Sequence, residues 1–402
     1  VPDLTTVHLF AGGFGDGRGY LQAGYAPLYA ANHAQAAVDT ARANCPRIWA
    51  QRCDINNLDM RTVPAADGVV GSPICTEVSP AAGMPTPIAR PTLDAASEQA
   101  PAAEWNRTRM TAWDPIRYTE VHRPLFYAGE NVPRFGDWRL FGAWLRVWDA
   151  LGYQPHITAV NAAHDLGHGG LPQSRERLVW VMVRRDARLR LDLRARPRCE
   201  CRTCGLVLGV QRWTDPGRRG RTRSYNAAYH YVCPNRRCGH RKVTPVLTGI
   251  GTVIDQSLPG RPYSAGREDN GEPFVDATRR RVEIGLERYA GEPFIITLRN
   301  HGTASPMSAP IGTITAQGGV HHKLVRPTAS GRVDDCEMRP LSLAEKALAQ
   351  GFPDEHTFAG TETDQKVQIG NAVPVNVARW QAEGIAAARR GLDPRERLAV
   401  AA

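Results

Sequence analysis

One pattern recurs through the first 185 residues: a short apolar run, a turn, a helix-like segment, then another apolar run. "TTVHLF" reads as a strand, "AGGFGDGRGYLQAGY" as a glycine turn entering a helix, "PLYAAN" as a second strand and "HAQAAVDTARAN" as a second helix. Further strands are expected at "GVVGS", "LFYAG", "HITAVNA" and "LVWVMVR". This alternation predicts the α/β class, a parallel sheet with helices packed on both faces. Between Thr76 and about Tyr118 the chain is rich in Pro, Ala and Ser, and a long mobile loop is expected just after Cys75.

The alternation stops at about Ala187 and resumes only after Arg339. We therefore expect an α/β domain over 1–186, a smaller irregular β-rich domain over 187–339, and a segment 340–402 that returns to the first. With 402 residues the chain has ample length for two or three cores. "LSLAEKALAQGFP" reads as a helix with a Ser342/Glu345 capping box and a stop at Gly351, and "PVNVARWQAEGIAAARRG" as a closing helix. No apolar run is long enough to span a bilayer, and "TVHLFAGGF" is broken by His8 and glycines, so no membrane and a cytoplasmic location are expected.

Net charge is +10, and all the basic residues but Lys242, Lys323, Lys346 and Lys366 are arginine. Arginine's planar fork suits phosphates and base edges, which points to nucleic acid. Codon bias toward arginine is the plain alternative. Distribution argues against it, because thirteen arginines between Arg184 and Arg223 face only four acids.

Gly12, Gly13 and Gly15 follow the first strand and open a helix, where bare backbone can approach a cofactor. The turn is no dinucleotide fingerprint, since Arg18 stands where the third glycine would be. Downstream, Cys75 lies at a strand end, Glu130 at the next, and Arg175 and Arg177 before another, all expected at one sheet edge.

In this order the fragments resemble the DNA cytosine-5 methyltransferase family. "LFAGGFG" is similar to its first cofactor motif, "DI" at Asp54 and Ile55 to its third, and "SPICTEVS" to its Pro-Cys nucleophile motif. "ENV" and "QSRER" follow, with "GFPD" and "GNAVP" as the last two. The resemblance implies an S-adenosylmethionine-dependent Rossmann-like sheet with a target recognition domain in the irregular region. It implies methyl transfer to C5 of a flipped-out cytosine in double-stranded DNA. Cys75 is implied as the nucleophile adding to C6, with Glu130 at N3 and Arg177, beside Arg175, at O2. Phe10, Gly12, Gly13 and Gly15 would surround the methionine portion, Asp54 and Ile55 the adenine, with Pro73 as a shared wall and Asn371 and Ala372 closing the pocket. Two departures stand out: Asn32 and His33 where an acid usually grips the ribose, and Ser-Pro-Ile-Cys-Thr-Glu for Pro-Pro-Cys-Gln.

Cys201-x-x-Cys204 and Cys233-x4-Cys238, 28 residues apart, resemble the two knuckles of a zinc ribbon over about 197–245, with Cys199 or His240 as substitute ligands. A redox-active or buried set is the alternative. Arg218, Arg219, Arg221 and Arg223 are expected to meet phosphates or guanine edges, and "APIGTITAQGGVHHKLV" to lie against DNA, with His321 and His322 at the surface or facing DNA and not metal ligands. Monomeric action is expected, in the setting of a restriction or phage-defence system. RNA cytosine methylation, transfer of a non-methyl group to C5, and a silent DNA-binding module are the competing readings.

Overall fold

The computed structural model describes residues 4–73, 111–214, 224–268, 270–299, 302–316 and 321–392. Cys75 and the stretch after it, Arg218 to Arg223 and part of the 309–325 segment lie outside the described residues.

The first region forms β1 (Thr5–Leu9), α1 (Gly15–Gln22), β2 (Ala26–Asn32), α2 (Gln35–Asn44), β3 (Trp49–Arg52), β4 (Gly68–Gly71), α3 (Asp114–His122), β5 (Phe126–Asn131), α4 (Phe141–Ala150), β6 (Tyr153–Asn161) and β7 (Glu176–Arg184). They build one seven-stranded sheet in the order β3-β2-β1-β4-β5-β7-β6. The sheet is mixed, not parallel throughout, because β7 runs antiparallel to both β5 and β6. An antiparallel return needs only a loop, without a crossover helix. The reversal carries the start of β7 to the edge where β1, β4 and β5 end. Strands β4 and β5 are buried along their whole length, which is why they begin as apolar runs without polar alternation.

Two elements depart from the sequence reading. Strand β3 has only four residues with mixed exposure, too short for a period to show. Helix α3 begins inside the expected loop, with Pro115 in its first turn, where a missing N–H costs nothing. On that face Trp144, Trp148 and Trp180 are fully buried, and Tyr127 stacks on Trp148 at 4.7 Å.

The next region is a five-stranded antiparallel sheet: β8 (Arg198–Cys201), β9 (Gly205–Leu208), β10 (Val210–Trp213), β11 (Tyr229–Val232) and β12 (Lys242–Pro245), in the order β10-β11-β12-β8-β9. Its side chains alternate. Tyr229, Tyr231, Val243 and Cys199 point inward and share one apolar core with Val160, Val179 and Val181 of the main sheet. Gln211 donates to the Ala159 carbonyl at 2.8 Å, and Glu176 accepts from the Tyr229 hydroxyl at 3.0 Å. The cysteine-bearing sheet is thus a cover on the β6–β7 end of the main sheet. The sequence reading grouped it with the rest of 187–339, because its short strands and polar outer face hide the shared core.

The rest of that stretch has its own core. β13 (Arg261–Pro262), α5 (Asp276–Tyr289), β14 (Phe294–Thr297), β15 (Ala304–Pro306), β16 (His322–Arg326) and β17 (Glu337–Pro340) form a second antiparallel sheet with one helix. Phe294, Ile296, Val325 and Met338 pack beneath Val282 of α5, while Ile295 and Leu324 face the opposite way onto Ile250, Ile311 and Ile314. His322, expected at the surface, is buried, and its Nδ1 lies 3.1 Å from the Thr297 hydroxyl. Burial and nearby Arg299 hold its imidazole down at about 4, so it is neutral.

The chain closes with α6 (Leu343–Ala349), α7 (Glu362–Asn371) and α8 (Val375–Arg389). The Ser342/Glu345 capping box forms as expected, and Gly351 follows with φ 86°. Helix α7 was not anticipated; Thr361 and Asp364 give it a capping box of its own. Helix α8 lies on α1, where the Tyr20 hydroxyl donates to Gln381 Oε1 at 3.3 Å, and on the sheet, where Gln381 donates to Trp180 O at 2.9 Å. No helix among the described residues is long and apolar enough to cross a membrane.

Candidate active site

The predicted site residues that the structure describes gather at one edge of the main sheet. The turn after β1 is backbone under strain, with Phe10 at φ 63°, Gly12 at φ 50° and Phe14 at φ 62°. Non-glycine residues in that region cost about 1–3 kcal/mol each, and such strain collects at ligand sites. The flanking glycines answer to a different neighbour from the one expected. A Cβ on Gly15 would lie 2.2 Å from Val373 O and one on Gly13 2.9 Å from Gln368 O. Their bareness admits the closing segment of the chain; only Gly12 keeps an open side. His356, held neutral by burial at about 4, donates to Gly13 O at 3.1 Å and pins the turn from the same side.

Around this turn stand the other expected cofactor residues. Asn32 is buried at the end of β2, its Oδ1 accepting from the Ala34 N–H at 2.9 Å, and His33 beside it is exposed. Asp54 is exposed after β3 and accepts from Asn56 N at 3.1 Å, while Ile55 is buried. Pro73 is buried at the end of β4; Ala372 is buried and Asn371 exposed at the end of the closing segment.

Glu130, near the end of β5, is buried, and its Oε2 lies 2.6 Å from Nε of Arg177 on β7. The contact is an ion pair off line for hydrogen bonding, so both buried atoms keep unused hydrogen-bonding capacity among the described residues. Burial pushes the Glu130 carboxyl above its ordinary value, outweighing the pull of Arg177 and Arg175. A buried acid held toward its neutral form beside a fixed guanidinium can donate to one ring atom while the guanidinium serves an adjacent oxygen.

Arg175 does not share that position. Its guanidinium donates to Ile314 O at 2.7 Å, Gly370 O at 2.9 Å and Ala372 O at 3.0 Å. It ties the start of β7 to the closing segment, so it is a positioning residue. Gln173 acts alongside it, accepting from Ile314 N at 2.7 Å and donating to Ala349 O at 3.1 Å. Arg175→Met strips three buried carbonyls of their donor and should cost about 2–4 kcal/mol, read as a lower denaturant midpoint with an unchanged slope.

Sequence reasoning missed two residues. Asn131 donates to Pro73 O at 2.9 Å, and the Ser72 hydroxyl accepts from Glu130 N at 3.2 Å. Together they lock the end of β5 to the strand end that leads into Cys75. Their signal was adjacency, since each sits within a motif fragment already quoted.

The four cysteines also assemble. The sulfurs of Cys201, Cys204, Cys233 and Cys238 all lie within 4.8 Å of one another. Backbone N–H groups of Thr203 and Cys204 bring the Cys201 thiol down to about 7. Neither Cys199 nor His240 joins them. The sulfur of Cys199 sits under Gly209, where burial pushes its thiol up to about 12, and His240 Nδ1 lies 3.0 Å from Cys233 O.

Comparison with known proteins shows the family of the chain. The pattern of the family described as C-5 cytosine-specific DNA methylase spans residues 4–387. The Type II methyltransferase M.HindV of Haemophilus influenzae is 45% identical over 53 residues, 13% of this chain and 17% of that protein. M.Sau96I of Staphylococcus aureus is 54% identical over 44 residues, 11% of this chain and 10% of that protein. These matches cover less than a fifth of the length of either relative. Among solved structures, a putative prophage-encoded DNA modification methyltransferase of E. coli aligns with 96% of this chain and 99% of its own at TM-score 0.55 and 18% identity. A Spodoptera frugiperda DNMT2 mutant aligns with 95% and 99% at TM-score 0.53 and 12% identity. At such identities the likeness is one of fold, that of S-adenosylmethionine-dependent methyltransferases. The family match along nearly its whole length places this chain in the C-5 cytosine-specific DNA methylase family.

Proposed function

We propose that the chain methylates C5 of cytosine in duplex DNA through a covalent adduct at Cys75. The observation that carries the reading is the buried Glu130–Arg177 pair with unused hydrogen-bonding capacity, joined through Asn131 to the strand end before Cys75. C5 of cytosine is a weak nucleophile. Addition of the Cys75 thiolate to C6 moves an electron pair toward C5, and a proton held by Glu130 at N3 stabilises the charge arriving on the ring. Arg177 stabilises O2. S-adenosylmethionine, when bound, supplies a methyl group on a sulfonium, and C5 takes that methyl. Loss of the C5 proton to a water molecule then expels the thiolate and restores the ring. The target base has to leave the stack to reach a residue fixed to a sheet edge, at a cost of a few kcal/mol.

The strained turn from Phe10 to Phe14 fits the cofactor as a cradle, with Gly12 its open side. Phe10, Gly12, Asp54, Ile55, Pro73, Asn371 and Ala372 are the proposed contacts, with Asn32 and His33 at the ribose, while Gly13 and Gly15 shape the turn against the closing segment. The Asn32 oxygen has one lone pair left after Ala34, so its grip is weaker than a carboxylate's. Bisulfite sequencing of DNA from cells expressing the chain tests the reading: protected cytosines in one sequence context support it. Incorporation of labelled methyl into RNA alone, or a product nucleoside of another mass, contradicts it.

The four cysteines fit a structural Zn²⁺. Zn–S bonds of about 2.3 Å place tetrahedral sulfurs roughly 3.8 Å apart, compatible with the observed cluster. Cys233→Ser should release one zinc per chain in a colorimetric chelator assay and lower stability by about 4 kcal/mol.

A further inference from the structure

The cysteine-bearing sheet has two unlike faces. Its inner face is fixed to β6 and β7 by Gln211 and Tyr229. In the ladder, Val210 pairs with Val232, Arg212 with His230, and Val232 with Lys242, so Arg212, His230 and Lys242 share the outer face. Arg202, Arg212, Arg236, Arg237, Arg241 and Lys242 are all exposed, and none of their side chains has a hydrogen-bond or ion-pair partner among the described residues. Glu200 is the one acid among the described residues from 198 to 245. The field of this face is felt locally: burial, reinforced by Lys242 and Arg212, holds the His230 imidazole below its ordinary range.

Unpaired surface cations this dense are self-repelling unless they meet an anion. The face is also well placed. Tyr229 on its inner side bonds Glu176, the residue next to Arg177, so the platform stands beside the edge where a target base would enter. An array of cations spread over strands and knuckle turns suits a repeating line of phosphates better than a single acidic group.

We infer that the outer face of the cysteine-bearing sheet is a sequence-independent clamp on the phosphate backbone of duplex DNA beside the target base, distinct from the β13–β17 sheet. The inference rests on the reading of duplex DNA as the substrate. A clamp on phosphates raises affinity for every duplex and steepens its salt dependence, leaving the choice of sequence to other residues.

The test compares the full-length parent with Arg212→Gln/Lys242→Gln and with the charge-preserving Arg212→Lys/Lys242→Arg. The probe is a labelled 40-bp duplex of A·T pairs only, which contains no cytosine, titrated across a range of salt. Each phosphate contact contributes about 0.9 to the slope of log affinity against log salt. The glutamine variant should therefore lose about 1.8 from that slope and bind the probe about tenfold more weakly at moderate salt. The charge-preserving variant should keep the parent's slope, and methylation of saturating genomic DNA should run at the parent's rate in both. An unchanged slope in the glutamine variant overturns the clamp, as does a loss shared by the charge-preserving variant. If the parent neither binds the A·T probe nor methylates genomic DNA, the clamp and the reading of the substrate fall together.

Discussion

Cys75→Ala should abolish methyl transfer, lowering the rate by on the order of 10⁴-fold or more while cofactor binding persists. The reason is chemical: without a thiol to add at C6, C5 has no route to the electron density that the sulfonium methyl demands. Neighbouring groups cannot substitute, since Glu130 and Arg177 only stabilise charge that the addition creates. A serine at this position should fail nearly as completely, because a hydroxyl is far less acidic than a thiol and offers almost no anion at neutral pH. Single-turnover incorporation of labelled methyl, with isothermal titration of the cofactor as the control, separates lost chemistry from lost binding.

Arg177→Ala should cost both stability and activity. Removing one partner of a buried ion pair leaves the other uncompensated, a loss of about 3–5 kcal/mol. Removing a charge aimed at O2 should slow the reaction by about 10²–10³-fold in addition. The stability loss has a defined pH dependence. Burial raises the Glu130 carboxyl above its unfolded value, so over the interval between the two the native state holds more protons than the unfolded one. Stability contributed by such a group is present below the unfolded carboxylate range, about pH 4.3, and is lost as pH rises through the higher native value. Without Arg177 that native value rises further and the interval widens. Unfolding curves of parent and variant should nearly coincide in acid and separate toward neutrality; curves separated by the same amount at every pH would contradict this account.

Much of the fold is legible in the sequence, and the reason is burial. Strands β1, β2, β4, β5 and β7 are largely covered on both faces, so each carries a cluster of apolar residues without the polar alternation of a half-exposed strand. The reversal of β7 is not legible, because strand direction depends on which neighbour a run finds, and both directions use the same residues. Helix α7 escaped because its polar sequence, ETDQKVQIGN, has little apolar face to announce it.

The site divides the same way. Motif order brings Glu130 and Arg177 to one edge, and the structure pairs them. The same motif cannot say which of its two arginines reaches the pocket: Arg175 and Arg177 differ only in what lies opposite, and that comes from Ile314, Gly370 and Ala372, far along the chain. Likewise, Gly13 and Gly15 read as room for a cofactor, whereas Gln368 and Val373 take the space beside them. The cysteine spacing correctly singled out four sulfurs among the candidates, because two short turns leave few geometries. That their sheet would share the core of the main sheet could not be read, since Tyr229 and Tyr231 find Glu176 and His164 only in three dimensions.

The covalent step is tested most directly by a DNA duplex carrying 5-fluorocytosine at the modified position, incubated with the protein and S-adenosylmethionine and analysed by denaturing gel and peptide mass spectrometry. Fluorine cannot leave as a proton does, so the enzyme should remain bound to the base, and the adduct should map to the peptide containing Cys75. A protein that methylates ordinary DNA yet forms no such adduct, or forms it at another residue, contradicts the mechanism.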